Sequence, residues 1–336
     1  MRICIVPEYP MSLMEGGLQE QAMESYRALV AKGADVELFN WCERKPLADI
    51  YHFMGFPPYL SKLMELVYLA GRPYVITMLF GARKRVMLAA IRQRLKSQVL
   101  RQRSRYDAVM RASAIVTNLE KDADAASLVY GVDRKRISVV LNGVTDNFFN
   151  ARPDVWQQQF GDKPFVLSVG AIQPRKNQLL LLQACNSLRL PVVLLGPILP
   201  GCQDYGNKIA VEANINKQFG GQWLTTVRNE DALMPSAFSA CRLFALISDA
   251  ETQPLSVMQA MAARKPILLM KSNYVTHPLF CKLPLITSHE VGAVAEAIKV
   301  QWEKGTPSDC SRDLTWGYVA EQLMEIYKQI KPVSNR

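Results

Sequence analysis

The sequence predicts an α/β protein built from two parallel-sheet domains in tandem. Three observations lead there. Short apolar runs alternate with segments of helical period along the chain. The alternation breaks at a polar, aromatic and proline-containing stretch at 147–163 and then starts again. The length of 336 residues and an apolar fraction of 49% supply core for two domains of ordinary size. A charged fraction of 21% argues against a disordered chain.

The first half opens with a strand at 3–6. An acid and a proline follow within eight residues of the start, so this segment reads as a strand rather than a signal peptide. Gly16-Gly17 reads as a loop. A helix at 18–31 places Leu18, Ala22, Tyr26, Leu29 and Val30 at helical spacing, and Gly33 ends it. Strands are expected at 36–39, 49–53, 74–77, 114–117 and 137–141, the last closing at the turn signal Asn142-Gly143. A long basic helical stretch separates the fourth from the fifth.

The stretch 147–163 reads as a linker. Beyond it come a strand at 165–169, a loop at 170–177, a helix at 178–188 and a strand at 192–195. Later strands are expected at 243–247 and 266–269, and helices at 255–263, 293–303 and 318–330. Helix-period segments between short apolar runs imply βαβ crossovers, so each half reads as a Rossmann-like unit. The expected domains are 1–155 and 164–312, with a closing segment at 313–336.

The net charge of +10 suits an anionic partner: nucleotide phosphates, an acidic membrane surface or nucleic acid. It is concentrated at 83–111, which holds ten Lys or Arg against one acid, Asp107. That run reads either as a solvated helix face or as an interaction surface. Its single aromatic, Tyr106, is too little for a base-stacking platform, so no nucleic-acid partner is expected. No apolar run reaches the roughly 18 residues of a membrane span. Seven scattered cysteines lack a CxxC pair, and His52, His277 and His289 lack metal-ligand spacing. A reduced, cytoplasmic protein without a metal site is expected.

Ligands of parallel sheets sit at the carboxyl ends of the strands, which directs attention to three loops. The first is Val169-Gly170-Ala171-Ile172-Gln173-Pro174-Arg175-Lys176-Asn177. A buried strand, two adjacent cations and an immediate helix start make an anion site from backbone N–H groups and fixed charge. Alone, Arg175-Lys176 also reads as two solvated cations. The second loop runs from Ser248 through Glu251 to Pro254, ahead of a helix that offers N–H groups near Leu255 and Ser256 and carries Gln259. Glu251 alone also reads as an ordinary loop acid. The third is Gly16-Gly17, where backbone could approach a ligand closely. No GxGxxG pattern supports a dinucleotide site.

Taken in order, these segments resemble a family 4 glycosyltransferase with the GT-B fold, over almost the whole chain. The resemblance is carried by Gly16-Gly17 with Lys32-Gly33-Ala34-Asp35-Val36, by Asp49-Ile50-Tyr51-His52, and by Ala112-Ser113-Ala114-Ile115-Val116-Thr117-Asn118 with Leu141-Asn142-Gly143-Val144. It continues in Pro174-Arg175-Lys176-Asn177, in Glu251 and Gln259 ahead of Ala260-Met261-Ala262, and in Trp316 and Tyr327 of the closing helix. Each piece is weak alone, but the ordered set is specific.

The resemblance implies two Rossmann-like domains facing each other across a cleft, with the closing helix returning to the first. It implies retaining, metal-independent transfer of a sugar from a nucleoside diphosphate donor to a glycan or glycolipid acceptor in cell-surface polysaccharide or lipopolysaccharide assembly. Glu251, Arg175 and Lys176 would carry the catalysis. Gly17, Gly170, Arg175, Lys176, Ser248, Leu255 and Gln259 would hold the donor, with no cofactor beyond it. The basic stretch 83–111 would add an anionic membrane surface as a partner, at the inner face of the membrane. The chain departs from the family at Gln259, where a glutamate is usual, at Thr252-Gln253-Pro254, where glycines are usual, and at Met78-Leu79-Phe80-Gly81, where a histidine is common. Ala171 replaces an arginine of some members. These departures keep open a binding-only or specialised protein on the same fold.

Overall fold

The computed structural model describes residues 1–10, 16–80, 103–227, 231–308 and 313–331. The chain divides into two compact units, one of Met1–Gly143 with Leu314–Arg336 and one of Val144–Asp313.

The first unit is built on a six-stranded sheet. Its strands are β1 (Arg2–Pro7), β2 (Asp35–Leu38), β3 (Ile50–Met54), β4 (Tyr74–Thr77), β5 (Ala114–Thr117) and β6 (Ile137–Val139), ordered β2-β1-β3-β4-β5-β6. Every pairing is parallel. A parallel sheet covered on both faces needs strands that are apolar throughout. Ile3 to Val6 and all of β3 and β4 are accordingly buried. Crossovers are made by α1 (Gly17–Ala31), α2 (Leu60–Leu69), α3 (Arg103–Arg111) and α4 (Glu120–Tyr130).

The C-terminal helix of the chain, residues Trp316–Gln329, packs against α1 in this first unit. A polar lock fixes it there. His52 on β3 is fully buried, with Nδ1 2.6 Å from the Tyr327 hydroxyl and Nε2 2.8 Å from Thr77 Oγ1. Both ring nitrogens are thus engaged, and burial pushes the imidazole pKa down to about 3. A methyl group on Gly143 would strike the backbone of Thr315 and Trp316, so only glycine lets these two chain segments meet.

The basic stretch 83–111 lies outside the described residues up to 102. Within α3, Arg105 lies over the Phe56 ring at 4.7 Å and donates to the Phe56 carbonyl at 2.8 Å, and Arg111 lies over Tyr68 at 4.9 Å. These two cations therefore hold α3 to its own unit. Among the described residues, no helix is long and apolar enough to cross a membrane.

The second unit repeats the architecture. Its strands are β7 (Val166–Val169), β8 (Val192–Leu195), β9 (Gln222–Leu224), β10 (Leu243–Leu246), β11 (Ile267–Met270) and β12 (Leu285–Ile286), ordered β12-β11-β10-β7-β8-β9 and all parallel. The stretch 147–163 is not a plain linker. It contains α5 (Asp146–Phe149) and α6 (Asp154–Phe160), both packed on this unit. Phe148 is fully buried edge-on to Phe238, and Trp156 packs at a tilt against Phe160 and Phe165 while its backbone N–H donates to Ser236 Oγ at 2.9 Å. Helices of one or two turns show no periodicity in sequence, so these aromatic anchors read as loop. The remaining helices are α7 (Gln178–Ser187), α8 (Gln203–Asn216), α9 (Leu233–Ala240), α10 (Leu255–Ala262), α11 (Val291–Lys304) and, in the first unit, α12 (Trp316–Gln329).

Candidate anion site on the second sheet

In the second sheet β7 lies directly between β10 and β8. The loops that leave the carboxyl ends of β7 and β10 are therefore neighbours, and they are the loops that carry Arg175-Lys176 and Glu251.

Backbone hydrogen bonds place the first loop. Gly170 N donates to Leu195 O at 2.8 Å and Ile172 N to Pro197 O at 2.7 Å, which holds the chain beside the end of β8. A short 3-10 turn, Pro174–Lys176, follows. Asn177 then takes the left-handed conformation with φ 51° and opens α7. Asparagine tolerates that conformation better than most residues. The turn folds the Lys176 side chain back over Gly170. Gly170 itself has φ +140°, and a Cβ there would collide with the Lys176 ammonium group. The backbone conformation calls for glycine, and a side chain there would also push the Lys176 ammonium aside.

The two loops are stitched together. Asp249 N donates to Arg175 O at 2.9 Å, and Asn177 Nδ2 donates to Ile247 O at 3.0 Å and to Asp249 Oδ1 at 2.9 Å. His289 Nε2 stands 2.6 Å from the same Asp249 oxygen. Ser248 is fully buried and bridges the loops, its single hydroxyl proton within reach of Arg175 O at 3.3 Å and Ala250 O at 3.2 Å. The guanidinium of Arg175 donates to Ser248 Oγ at 3.2 Å and to Ala250 O.

This stitching puts one carboxylate between two cations. Arg175 Nη1 is 2.9 Å from Glu251 Oε1, and Lys176 Nζ is 3.5 Å from the same oxygen. The Glu251 and Lys176 side chains are each 14% exposed, and that of Arg175 39%. Burial works against ionisation of Glu251, but the charges of Lys176 and then Arg175 outweigh it, so its carboxyl is held below the ordinary glutamate range. Oε1 is nevertheless a buried oxygen that accepts no well-aligned hydrogen bond among the described residues. Arg175 and Ser248 stand close enough to the carboxylate to help hold its pKa down. The three charges sum to one net positive charge, held at the carboxyl ends of two central strands.

The same loop runs on into α10, whose first residue is Leu255 after Pro254. First-turn N–H groups of a helix lack intrahelical partners and attract anions. Gln259 follows Leu255 by one turn on the same side of α10 and is buried. Arg175, Lys176, Gly170, Ser248, Glu251, Leu255 and Gln259 thus all belong to the carboxyl-end loops of β7 and β10 and the helix after β10. Gly17 belongs to the other unit, where it is the first residue of α1. It has no positive φ, and nothing lies within 4 Å of where its Cβ would stand. Neither strain nor crowding therefore demands glycine at that position.

Two residues of this edge gave no separate signal in sequence. Asn177 ties the loops through its side chain. Tyr274 is a buried tyrosine in the loop after β11 whose hydroxyl has no hydrogen-bond partner among the described residues. A buried tyrosine in sequence looks like core, and only its unpartnered oxygen sets it apart. Among the described residues, no group of three or more His, Cys, Asp or Glu is arranged to hold a metal ion.

The family model for glycosyl transferases group 1 matches residues 152–299, a segment that lies within the second unit and contains every residue of the anion site. A search of curated protein sequences found no match. Similar solved structures span nearly the whole chain. One is Anabaena HepE in complex with UDP, at 18% identity and a TM-score of 0.72, covering 98% of this chain and 100% of that one. Another is a sucrose-phosphate synthase from Thermosynechococcus elongatus, at 13% identity and a TM-score of 0.73, covering 98% of both chains. A third, trehalose-6-phosphate from E. coli bound with UDP-2-fluoro glucose, shares 12% identity with a TM-score of 0.71, covering 99% of this chain and 100% of that one. At such identities the likeness speaks for architecture, and it shows that this chain, with its two parallel six-stranded sheets, has the GT-B fold.

Proposed function

We propose that this protein is a glycosyltransferase that moves a sugar from a nucleoside diphosphate donor to a glycan or glycolipid acceptor. The convergence of Arg175 and Lys176 on Glu251, beside the N-terminus of α10, carries the reading. Transfer breaks the bond between the sugar and the diphosphate, and negative charge grows on the leaving oxygens. Cations and helix N–H groups already in place stabilise that charge without reorganising. Arg175 offers a fork of donors and Lys176 a mobile point charge, together suited to a diphosphate. Glu251 then meets hydroxyls of the donor sugar, the Leu255 backbone adds a phosphate contact, and Gln259 bonds ribose hydroxyls as a neutral amide.

Retention at the anomeric carbon, independence of metal, and a role in cell-surface polysaccharide or lipopolysaccharide assembly belong to the same proposal. They rest on the resemblance to family 4 set out above. Docking on an anionic membrane rests on the charge density of 83–111, and sedimentation with anionic vesicles tests it.

Thermal-shift measurements with UDP-, GDP-, ADP- and dTDP-sugars test the donor site, because a bound ligand raises the midpoint by mass action. One of the four should raise it and be consumed in the presence of an acceptor. No shift with any of them rejects the reading. A second reading, a sugar-nucleotide-binding protein without turnover, is favoured by Gln259 and by Thr252-Gln253-Pro254. Binding without hydrolysis or transfer selects it.

A further inference from the structure

Tyr274 lies in the 3-10 turn Asn273–Thr276, just past β11. β10 and β11 are parallel neighbours, so both strands release their loops at the same edge of the sheet. The loop of Tyr274 therefore runs beside the loop of Glu251. The tyrosine ring is fully buried and held edge-on by Phe280, with 5.5 Å between ring centroids. Its hydroxyl makes no hydrogen bond among the described residues. Burial, and after it the negative charge of Glu251, raise the phenol pKa above its ordinary value. The Glu251 charge therefore reaches the Tyr274 hydroxyl. A buried hydroxyl without a partner destabilises a fold, and phenylalanine would fill the same space without that cost.

Glu251 has the complementary need. Among the described residues its Oε1 accepts no well-aligned hydrogen bond, and its charge is held mainly by Lys176 and Arg175. Diphosphate oxygens compete for both cations, with more charge and with a geometry that matches the guanidinium fork. When the cations turn to a diphosphate, the carboxylate remains buried with its neutralising contacts weakened. A buried carboxylate in that position must find a donor or take up a proton.

We propose that the Tyr274 hydroxyl donates a hydrogen bond to the Glu251 carboxylate when Arg175 and Lys176 engage a diphosphate, and so positions Glu251 in the ligand-bound state. This rests on the diphosphate reading above. Tyr274 is a positioning residue, acting through Glu251. The Tyr274 hydroxyl, without a hydrogen bond among the described residues, and the Glu251 carboxylate, held by its two cations, are then the two ends of one hydrogen bond made on binding.

The test is calorimetric titration of the wild type and Tyr274→Phe with UDP and with inorganic pyrophosphate, between pH 8 and pH 5, in two buffers of different ionisation enthalpy. The ligand-free variant should melt at or above the wild-type temperature, since it loses an unpartnered buried hydroxyl. At pH 8 its affinity for both probes should fall about tenfold, the worth of one hydrogen bond to a charged group. The deficit should narrow toward pH 5. In the bound variant Glu251 lacks its donor and its pKa rises, so binding takes up a proton and is favoured by acid. In a Glu251→Gln background, where no charge is left to hold, Tyr274→Phe should cost no further affinity.

Equal affinities for wild type and variant at pH 8, with no proton uptake, overturn the proposal. So does a marked loss of stability in the ligand-free variant, or a tenfold loss that persists in the Glu251→Gln background. If the wild type binds neither UDP nor pyrophosphate, the diphosphate reading fails and this inference falls with it. If the wild type binds both and the variant matches it, this inference fails alone.

Discussion

Lys176 folds back so closely over Gly170 that a single methyl group at residue 170 would collide with its ammonium. The ammonium thus occupies space that a side chain six residues earlier would take. Gly170→Ala should be destabilising by about 1–3 kcal/mol, because φ +140° is strained for any other residue. It should also displace the ammonium, so nucleoside diphosphate affinity falls with it. Urea unfolding and calorimetric titration with UDP check the two effects separately. A variant as stable and as tight-binding as the wild type contradicts the crowding.

Lys176→Ala removes one of the two cations on Glu251. Affinity for UDP should drop about ten- to hundredfold, in line with loss of a charge-assisted contact to phosphate. The ligand-free protein should lose about 1–3 kcal/mol, since a buried carboxylate keeps only Arg175 beside it. Stability and binding should therefore fall together. Unchanged stability would mean that Lys176 does little to neutralise Glu251.

Glu251→Ala should behave differently. It frees both cations from their shared carboxylate, so UDP binding should hold or tighten. Turnover of a donor sugar should drop at least a hundredfold if the carboxylate orients the sugar in the transition state. Steady-state kinetics beside UDP titration separates the two effects. A loss of UDP affinity with turnover of the bound donor preserved would assign Glu251 to the nucleotide rather than the sugar.

His52 makes the first unit sensitive to acid. Its pKa in the folded chain, about 3, lies below the ordinary value of 6.5. Its contribution is therefore fully present above pH 6.5 and is lost as pH falls toward 3. The expected slope is about 1.4 kcal/mol per pH unit for one proton. The difference in unfolding free energy between wild type and His52→Gln should carry this slope. A difference that does not change between pH 7 and pH 4 would contradict a neutral buried imidazole.

Tyr327→Phe tests the same lock from the other side. It leaves His52 Nδ1 buried without its 2.6 Å partner, at a cost of about 1–3 kcal/mol. Loss of helical packing should show as early proteolysis at the C-terminal helix.

Much of this was legible in the sequence because central parallel strands are apolar throughout. Residues 3–6, 74–77, 165–169 and 192–195 could be read as buried strands for that reason alone. Arg175-Lys176 between a strand and a helix could be read as an anion site, because chain order already places them at the carboxyl end of a strand. Other elements gave weaker signals. The buried face of α8 is Gly206, Ile209, Ala213 and Asn216, well spaced but mostly small or polar. The pairs Phe148 with Phe238 and Trp156 with Phe165 anchor a segment that looks like a linker, because a helix of one or two turns is too short to display a period.

The sequence by itself determined the α/β class, the repeated strand-helix order and the loops able to hold anions, since these follow from local pattern and chain direction. Tertiary structure alone decided that one carboxylate serves both cations, that the buried Tyr274 hydroxyl finds no hydrogen bond among the described residues, and that His52 locks a helix from the far end of the chain. Those relations depend on which strands pair across long stretches of sequence and on which polar atoms packing leaves without a partner. Local preference encodes neither.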